Sequence, residues 1–330
     1  MRNLSRSGQP LANLRCTSAA GAPGTLITHC AGFWLENLRS GVRVAPTYMG
    51  ATQNMSKKKR LKTPGKVIVL NNQKGGVGKT TIAYHVGCYL ASQGYKVVAI
   101  DLDGQGNLSG RFFPLAERIS GYRAVHLFTS ASAEFAPLTA DLGVDVIYAL
   151  KRDVELFNVE RMPLGEAAAN FYEKVSQLRE DYDFIVVDTP PALGNMMTAA
   201  CIAADFLFVP VELAAFAVEG VENVLETLQE IGQLTGSEVK VTGVICNKLR
   251  AVNSHSKSLA ELRQAVGPLI LKNCLVNRGS VDEAMGDRIP VWQRKSTGAQ
   301  RDTGREMTQL MAEMAGLCGI KIDTKARARK

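Results

Sequence analysis

One short segment, VIVLNNQKGGVGKTT at residues 67–81, limits more than any other what this chain can fold into. A β-branched apolar run is followed by a loop that contains Gly75, Gly76 and Gly78, and then by residues that favour a helix. Glycines in such a loop let successive backbone N–H groups converge on phosphate oxygens, and the start of a helix attracts the same charge. The segment therefore predicts a strand, a phosphate-binding loop and a helix.

The side chains of this loop supply the other contacts that a nucleotide needs. Lys79 is placed to reach the β- and γ-phosphates, Thr80 to ligate Mg²⁺ and Thr81 to bond the α-phosphate. The predicted nucleotide-binding residues are Gly75, Gly76, Val77, Gly78, Lys79, Thr80 and Thr81. The strict G-x-x-x-x-G-K-[ST] pattern fails at Gln73, so a glycine-rich turn without a ligand is the alternative. Lys74 is not needed to form the loop, and a solvated surface lysine is the alternative for it.

From Lys66 onwards, short β-branched runs alternate with longer amphipathic stretches. The runs that predict strands are residues 67–70, 97–100, 144–149, 184–188, 206–211 and 241–246. The stretches that predict helices are residues 80–93, 164–180, 193–204, 217–234, 256–266 and 305–316. This order predicts an α/β fold, a P-loop three-layer sandwich with a mostly parallel sheet and helices on both faces. Ligands of such sheets bind at the carboxyl ends of the strands.

Charge and composition divide the chain into three predicted parts. Residues 1–65 hold ten Lys/Arg against Glu36 as the one acid, and they predict a basic, disordered arm. Residues 66–320 form the nucleotide-binding domain, and residues 321–330 form a basic tail. Met1, Met49 and Met55 all remain possible translation starts. Seven scattered cysteines and the lack of an apolar run of 18 residues favour a reduced, cytoplasmic protein without a membrane span.

Three carboxylates follow predicted strands near the loop. Asp188 ends an apolar strand where a carboxylate can hold Mg²⁺, although an Asp that caps a turn is the alternative. Asp101 and Asp103 end another strand, and their spacing of two predicts similar side-chain directions while the backbone stays extended. An Asp-rich turn into the residues GQGN is the alternative for this pair.

Three motifs in this order resemble those of the ParA/MinD family of ATPases. KGGVGKTT at 74–81 resembles its deviant Walker A motif, VVAIDLDGQGNLS at 97–109 its second motif and YDFIVVDTPPALG at 182–194 its Walker B strand. The resemblance covers roughly residues 66–315. Residues 190–221 and 289–296 look most similar to plasmid-partition ParA proteins of the IncC type.

The resemblance implies roles for individual residues, with ATP and Mg²⁺ as cofactors. The implied catalytic residues are Lys74, which reaches the partner's ATP in a face-to-face homodimer, Lys79, and Asp103, which positions the attacking water. Asp101 joins Thr80 and Asp188 around the metal, and Asn247 with Lys248 contacts the adenine. Gly104 occupies the position of a usual proline, which predicts a looser loop.

The function implied is that of a partition ATPase. Such a protein hydrolyses ATP slowly alone, is stimulated by DNA and a ParB-like centromere-binding partner, and segregates a plasmid or chromosome from a cytoplasmic, nucleoid-associated position. A MinD-like membrane-associated ATPase is one alternative, but the tail KIDTKARARK lacks the bulky apolar face of a membrane-binding helix. A non-hydrolysing scaffold is another, and an iron protein would need paired cysteines to hold a cluster.

Basic residues near both ends of the chain are candidates for DNA binding. The candidates are Lys57, Lys58, Lys59, Arg60 and Lys62 in the arm, Arg278, Arg294, Lys295, Arg301 and Arg305 before the tail, and Lys325, Arg327, Arg329 and Lys330 in the tail. Such patches bind phosphates through counterion release without reading the bases. The arm lacks a helical period, so we expect sequence-independent binding rather than an operator contact. Tails that only keep the protein soluble are the alternative.

Overall fold

The computed structural model describes residues 61, 63–114, 121–129, 135–213 and 217–320. The strands are β1 Lys66–Leu70, β2 Val97–Asp101, β3 Leu138–Thr139, β4 Val144–Ile147, β5 Phe184–Asp188, β6 Phe206–Glu212 and β7 Val241–Asn247. The α-helices are α1 Lys79–Ser92, α2 Ser109–Phe112, α3 Val154–Asn158, α4 Leu164–Asp181, α5 Asn195–Ala203, α6 Ala217–Thr235, α7 Asn253–Val266, α8 Gly279–Gly286 and α9 Gly298–Leu317. The basic candidates of the arm and of the tail lie outside the described residues.

The strands form a single seven-stranded sheet in the order β3-β4-β2-β5-β1-β6-β7 within the described residues. All neighbours pair in parallel except β3, which runs antiparallel to β4. Leu70 at the end of β1 pairs with Asp188 at the end of β5. The loop that follows β1 and the acid that ends β5 therefore share one edge of the sheet. The predicted fold class is confirmed.

Helices cover both faces of this sheet, which explains why the central strands are apolar throughout. The five residues of β5, FIVVD, are all buried. On β1, Ile68 and Leu70 join the core that includes α1 and α9, whereas the alternating Val67 and Val69 are buried outside that cluster. Five apolar residues of α9 belong to this core, namely Met307, Leu310, Met311, Met314 and Ala315.

Several element boundaries differ from those predicted. Helix α9 begins at Gly298 rather than at Arg305, because Thr297 and Gln300 form a capping box, in which the Thr297 hydroxyl oxygen accepts from the Gln300 N–H at 3.2 Å. Strand β4 ends at Ile147, two residues before the predicted end. The short elements β3, α2, α3 and α8 were not predicted, because they span too few residues for a period to appear. No helix in the described ranges is both long enough and apolar enough to span a bilayer.

His85 fastens α1 to a single 3₁₀ turn, Val291–Gln293, that precedes α9. The imidazole is fully buried, its Nδ1 lies 2.7 Å from the Thr81 carbonyl oxygen, and its Nε2 accepts the Val291 N–H at 3.1 Å. A carbonyl only accepts and a backbone N–H only donates, so Nδ1 carries the proton and the ring is neutral. Burial lowers the pKa of His85 to about 4.

This neutral imidazole makes stability depend on pH. Between its unfolded pKa of about 6.5 and its folded pKa of about 4, the unfolded chain binds a proton that the folded chain does not, so stability is lost as pH falls. From pH 7.5 to pH 5, the free energy of unfolding should fall by about 2 kcal/mol more in the native chain than in His85→Gln. Urea titrations at both pH values measure this, and an equal change in the two chains would contradict it.

Candidate active site

The loop between β1 and α1 is held in place by its own polar side chains. The Asn72 amide donates to the Pro210 carbonyl at 2.8 Å, and its oxygen accepts the Lys74 N–H at 2.8 Å. The Gln73 amide donates to the Thr227 hydroxyl on α6 at 3.0 Å. Gln73, the residue that breaks the strict loop pattern, therefore ties the loop to a neighbouring helix.

Two glycines of the loop have backbone conformations that other residues rarely adopt. The φ angles are 76° at Gly76 and 102° at Gly78. A Cβ at Gly78 would also lie 2.2 Å from the Asn247 amide nitrogen. Gly78 precedes α1, and no side chain caps that helix start. The loop thus presents backbone N–H groups at the amino end of a helix, which is the arrangement that binds phosphate.

The two lysines of the loop differ in environment. Lys79 is buried, and its ammonium donates to the carbonyls of Asn72 at 2.7 Å and Lys74 at 3.3 Å. Burial lowers the pKa of Lys79, while the charges of Asp188 and Asp103 oppose that shift. Lys74 is exposed and borders a cavity of about 300 Å³ between the loop and α6. Only Lys79 therefore belongs to the closed part of the site.

Thr80 and Asp188 meet at the edge of the sheet and provide oxygen ligands. The Thr80 hydroxyl donates to Asp188 Oδ2 at 2.7 Å, whereas Asp188 Oδ1 is buried without a hydrogen-bond partner. Burial, together with the nearby Asp101, raises the pKa of Asp188 well above its ordinary value. A buried carboxylate oxygen without a partner beside a hydroxyl fits a hard divalent cation such as Mg²⁺.

Asp101 is fully buried, and it organises the loop that follows β2. Its Oδ2 accepts from the Ser109 N–H at 2.8 Å and the Ser109 hydroxyl at 2.7 Å, and its Oδ1 accepts from the Asp103 N–H at 3.1 Å. Burial raises the pKa of Asp101 to about 7, although the bonds from Ser109 oppose the shift. Asp101 pairs in register with Asp188, and both its oxygens already accept bonds from the protein.

Asp101 ends strand β2 as predicted, whereas Asp103 lies two residues beyond the strand rather than on it. Strand β2 ends at Asp101, and the Asp103 carbonyl closes a turn by accepting the Gly106 N–H at 2.8 Å. The Asp103 carboxylate accepts the Gln105 N–H at 3.0 Å and remains partly exposed. Its negative charge still lies close enough to Lys79 to oppose the lowering of the Lys79 pKa by burial.

Gly104 packs closely against helix α3, and a looser loop at this position stays a prediction. A Cβ there would lie 2.6 Å from the Phe157 ring, and the Gly104 carbonyl accepts the Asp153 N–H at 3.1 Å. Phe157 on α3 therefore occupies the space that a larger residue would take. The sequence offered no signal for this contact, because Phe157 belongs to a helix of five residues without a visible period.

Asn247 ends β7 on the same side of the sheet as the loop. Its amide donates to the Val77 carbonyl at 2.8 Å, and its oxygen accepts the Lys248 N–H at 2.8 Å. Lys248 has a φ of 55°. The structure thus brings Asn247 against the phosphate loop, where it supports the backbone, and contact with adenine stays a prediction for both residues.

Acidic partners occupy some of the described DNA-binding candidates. Arg278 pairs with Glu306 at 2.7 Å, and Arg294 lies between Glu283 and Asp287. Arg305 pairs with Asp302 at 3.3 Å, and the Arg301 guanidinium donates to the Lys295 carbonyl at 2.8 Å. One cavity of about 440 Å³, called here the basic cleft, is lined by Trp292, Tyr89 and four of these candidates. The four candidates are Arg294, Lys295, Arg301 and Arg305. Arg278 is not among its lining residues.

Known proteins are similar to this chain in sequence. Residues 65–241 match the family described as AAA domain. Protein IncC of Escherichia coli is 34% identical over 72% of this chain and 66% of its own length. The chromosome partitioning protein ParA of Caulobacter vibrioides is 31% identical over 72% of this chain and 91% of its own length. The chain spans about two thirds of the length of the IncC proteins that it matches.

Solved structures support the same fold. McdA of Cyanothece, in complex with ATP, superposes with a TM-score of 0.67 at 23% identity, over 79% of this chain and 98% of that one. MinD of Pyrococcus horikoshii OT3, in complex with Mg-ADP, gives 0.62 at 19% identity, over 78% and 99%. The fold and the loop define a P-loop protein. The chain belongs to the ParA/MinD family of ATPases, and its similarity to IncC is confirmed.

Gly78 provides a test of the loop. In Gly78→Ala the positive φ and the contact with Asn247 both oppose the native loop, so the affinity for ATP should fall about tenfold or more. The matched control is Gly87→Ala within α1, where the nearest atom to the new Cβ is 3.9 Å away. Titration with a fluorescent ATP analogue measures both, and equal affinities would contradict the assignment.

Proposed function

We propose that this chain is a ParA-type partition ATPase that binds ATP with Mg²⁺ and hydrolyses it to ADP and phosphate. The observation that carries the proposal is the partnerless Asp188 Oδ1 beside Thr80, at the start of a helix that presents uncapped N–H groups. Phosphates need these N–H groups, and the accompanying cation needs these oxygens.

The residues of the site have separate tasks in this reaction. The Thr80 hydroxyl and the Asp188 carboxylate would hold Mg²⁺, which supplies charge neutralisation at the γ-phosphate when bound. The ammonium of Lys79 can exchange its two loop carbonyls for phosphate oxygens within the same loop. Asp103, close to Lys79 and partly exposed, orients the attacking water and takes up its proton. Asp101 holds the Asp103 loop.

The exposed position of Lys74 supports a role in a partner subunit. Its backbone is fixed by Asn72 while its side chain is exposed, so it is able to reach a nucleotide in a second copy that faces it. ATP would then hold a homodimer together, and hydrolysis would release it.

The dimer is tested by light scattering with ATP. Asp103→Ala should form a stable dimer, because hydrolysis is slowed while the loop and the metal ligands remain. Adding Lys74→Ala to Asp103→Ala should return the mass to that of the monomer. A variant with Lys257→Ala in place of Lys74→Ala controls for the loss of an exposed cation elsewhere. Dimers in all three variants would contradict the role of Lys74.

The basic cleft brings together four of the five described DNA-binding candidates, and we assign to it the binding of DNA phosphates. Arg301 and Lys295 are exposed and carry no acidic partner among the ion pairs of the described residues. Contacts of this kind depend on charge and not on base sequence. DNA of any sequence would then serve as the track for a ParB-like partner and its plasmid or chromosome.

A charge-matched pair of variants tests this surface. Lys295→Ala with Arg301→Ala should weaken binding of random DNA in the ATP state. It should also lower the slope of log affinity against log salt by about 1.8, because two phosphate contacts are lost. The control removes two lysines that pair with Glu238 and Glu261, namely Lys240→Ala with Lys257→Ala. Identical mobility shifts of both variants would place DNA binding elsewhere.

The partner is tested through the rate of hydrolysis. ATP turnover should be slow alone and should rise with random DNA and the product of the adjacent gene. A rate that responds to anionic vesicles instead of DNA would favour the membrane-associated alternative. No turnover under any condition would favour the non-hydrolysing scaffold.

A further inference from the structure

The phosphate loop and the basic cleft lie at opposite ends of one helix, α1. Lys79 and Thr80 begin the helix beside the loop, and Tyr89 in its last turns lines the cleft. On the far side, the cleft is lined by Trp292 from the Val291–Gln293 turn and by residues of α9. A structural change at the phosphate loop can therefore be transmitted to the basic cleft through α1 and this turn.

His85 lies midway along that path and joins the two sides. Its Nδ1 donates to Thr81, in the first turn of α1, and its Nε2 accepts from Val291 at the start of the 3₁₀ turn. Its ring also meets the edge of Trp292, with centroids 5.5 Å apart and planes at 67°. Trp292 in turn meets Tyr89 at 6.2 Å. One side chain thus contacts the helix start, the turn and the aromatic wall of the cleft.

Helix α9 packs against the other side of this turn. A displacement of the turn would therefore also displace the cationic side chains of the basic cleft. A Cβ at Gly304 would lie 2.9 Å from the Trp292 Cα, which shows that α9 and the turn touch backbone to backbone. Gly304 lies between Arg301 and Arg305 on α9, and Arg294 and Lys295 directly follow the turn. A displacement of the turn by a fraction of an ångström therefore changes the spacing of the cations in the cleft.

We propose that His85 is a positioning residue that couples the nucleotide at the phosphate loop to DNA binding at the basic cleft. This inference rests on the DNA binding proposed above. The bond between the imidazole Nε2 and the Val291 N–H is the part that connects the two segments, and the bond to Thr81 stays within α1. Phosphates that order the first turn of α1 fix the backbone of this helix, which carries His85, and the imidazole then fixes the turn through its bond to Val291. By linkage, DNA must tighten ATP binding by the same factor.

Two substitutions separate the two bonds of the imidazole. An Asn amide nitrogen takes the position of Nδ1 and retains a donor for Thr81, but it falls short of Val291. A Gln amide oxygen takes the position of Nε2 and retains an acceptor for the Val291 N–H. His85→Asn should therefore lose the coupling and His85→Gln should retain it, although both remove the same ring.

The experiment measures DNA affinity with and without ATP, and ATP affinity with and without DNA, for the native chain and both variants. In the native chain each ligand should tighten the other by about tenfold. The loss of one connecting hydrogen bond should reduce that factor about three- to tenfold in His85→Asn, while ATP affinity without DNA stays native. His85→Gln should keep most of the factor.

The possible outcomes are distinguishable. If ATP does not change DNA affinity in the native chain, the proposed function fails, and the coupling fails with it. If the native chain shows the effect and His85→Asn shows it undiminished, the function stands and the inference is overturned. Equal losses in His85→Asn and His85→Gln would mean that ring packing, and not the bond to Val291, carries the effect, which also overturns it.

A second variant covers the case in which the His85 variants do not fold. Gly304→Ala presses on the Trp292 backbone from α9 and leaves every residue of the phosphate loop unchanged. It should retain native ATP affinity in the absence of DNA and lower the coupling factor at least about threefold. An unchanged factor in Gly304→Ala would show that the turn does not transmit the nucleotide state.

Discussion

The pairing of β5 with β1 on one side and β2 on the other is the constraint on which the site depends. It sets Asp188 level with Leu70, the last residue before the phosphate loop, and level with Asp101 on β2. Parallel strands end at one edge of the sheet, so strand pairing alone places the loop and the two acids next to each other. A shift of one residue in this register would turn Asp188 to the other face of the sheet.

The meeting of two buried acids is unfavourable in itself, and the surrounding residues offset that cost only in part. Asp101 accepts bonds from Ser109 and from the Asp103 backbone, whereas Asp188 has Thr80 and the charge of Lys79. The Oδ1 oxygen of Asp188 is buried without a hydrogen-bond partner. Unbalanced acids of this kind occur where a ligand supplies the missing positive charge, and this is why the site suits a cation and a nucleotide phosphate together.

Much of the fold and of the loop could be predicted from the sequence, because both depend on local patterns. β-Branched runs define β1, β5 and β6, and glycines define the loop, since Gly76 and Gly78 adopt φ angles that other residues avoid. The short elements and the start of α9 escaped prediction, because a capping box and a helix of five residues leave little periodic signal. Asp103 lies beyond β2 because the end of β2 is set by a turn and not by hydrophobicity.

What the sequence by itself determined is the class of the protein: an alternating α/β fold with a phosphate loop, and acids where strands end. Only the tertiary structure decided which partner each of the remaining side chains contacts. Gln73 is tied to Thr227, Phe157 rests on Gly104, Arg278 is paired with Glu306, and His85 joins α1 to Val291. These contacts link residues far apart in the chain, and a hydrogen bond or ion pair forms only where folding brings both partners together. No local pattern encodes that second partner.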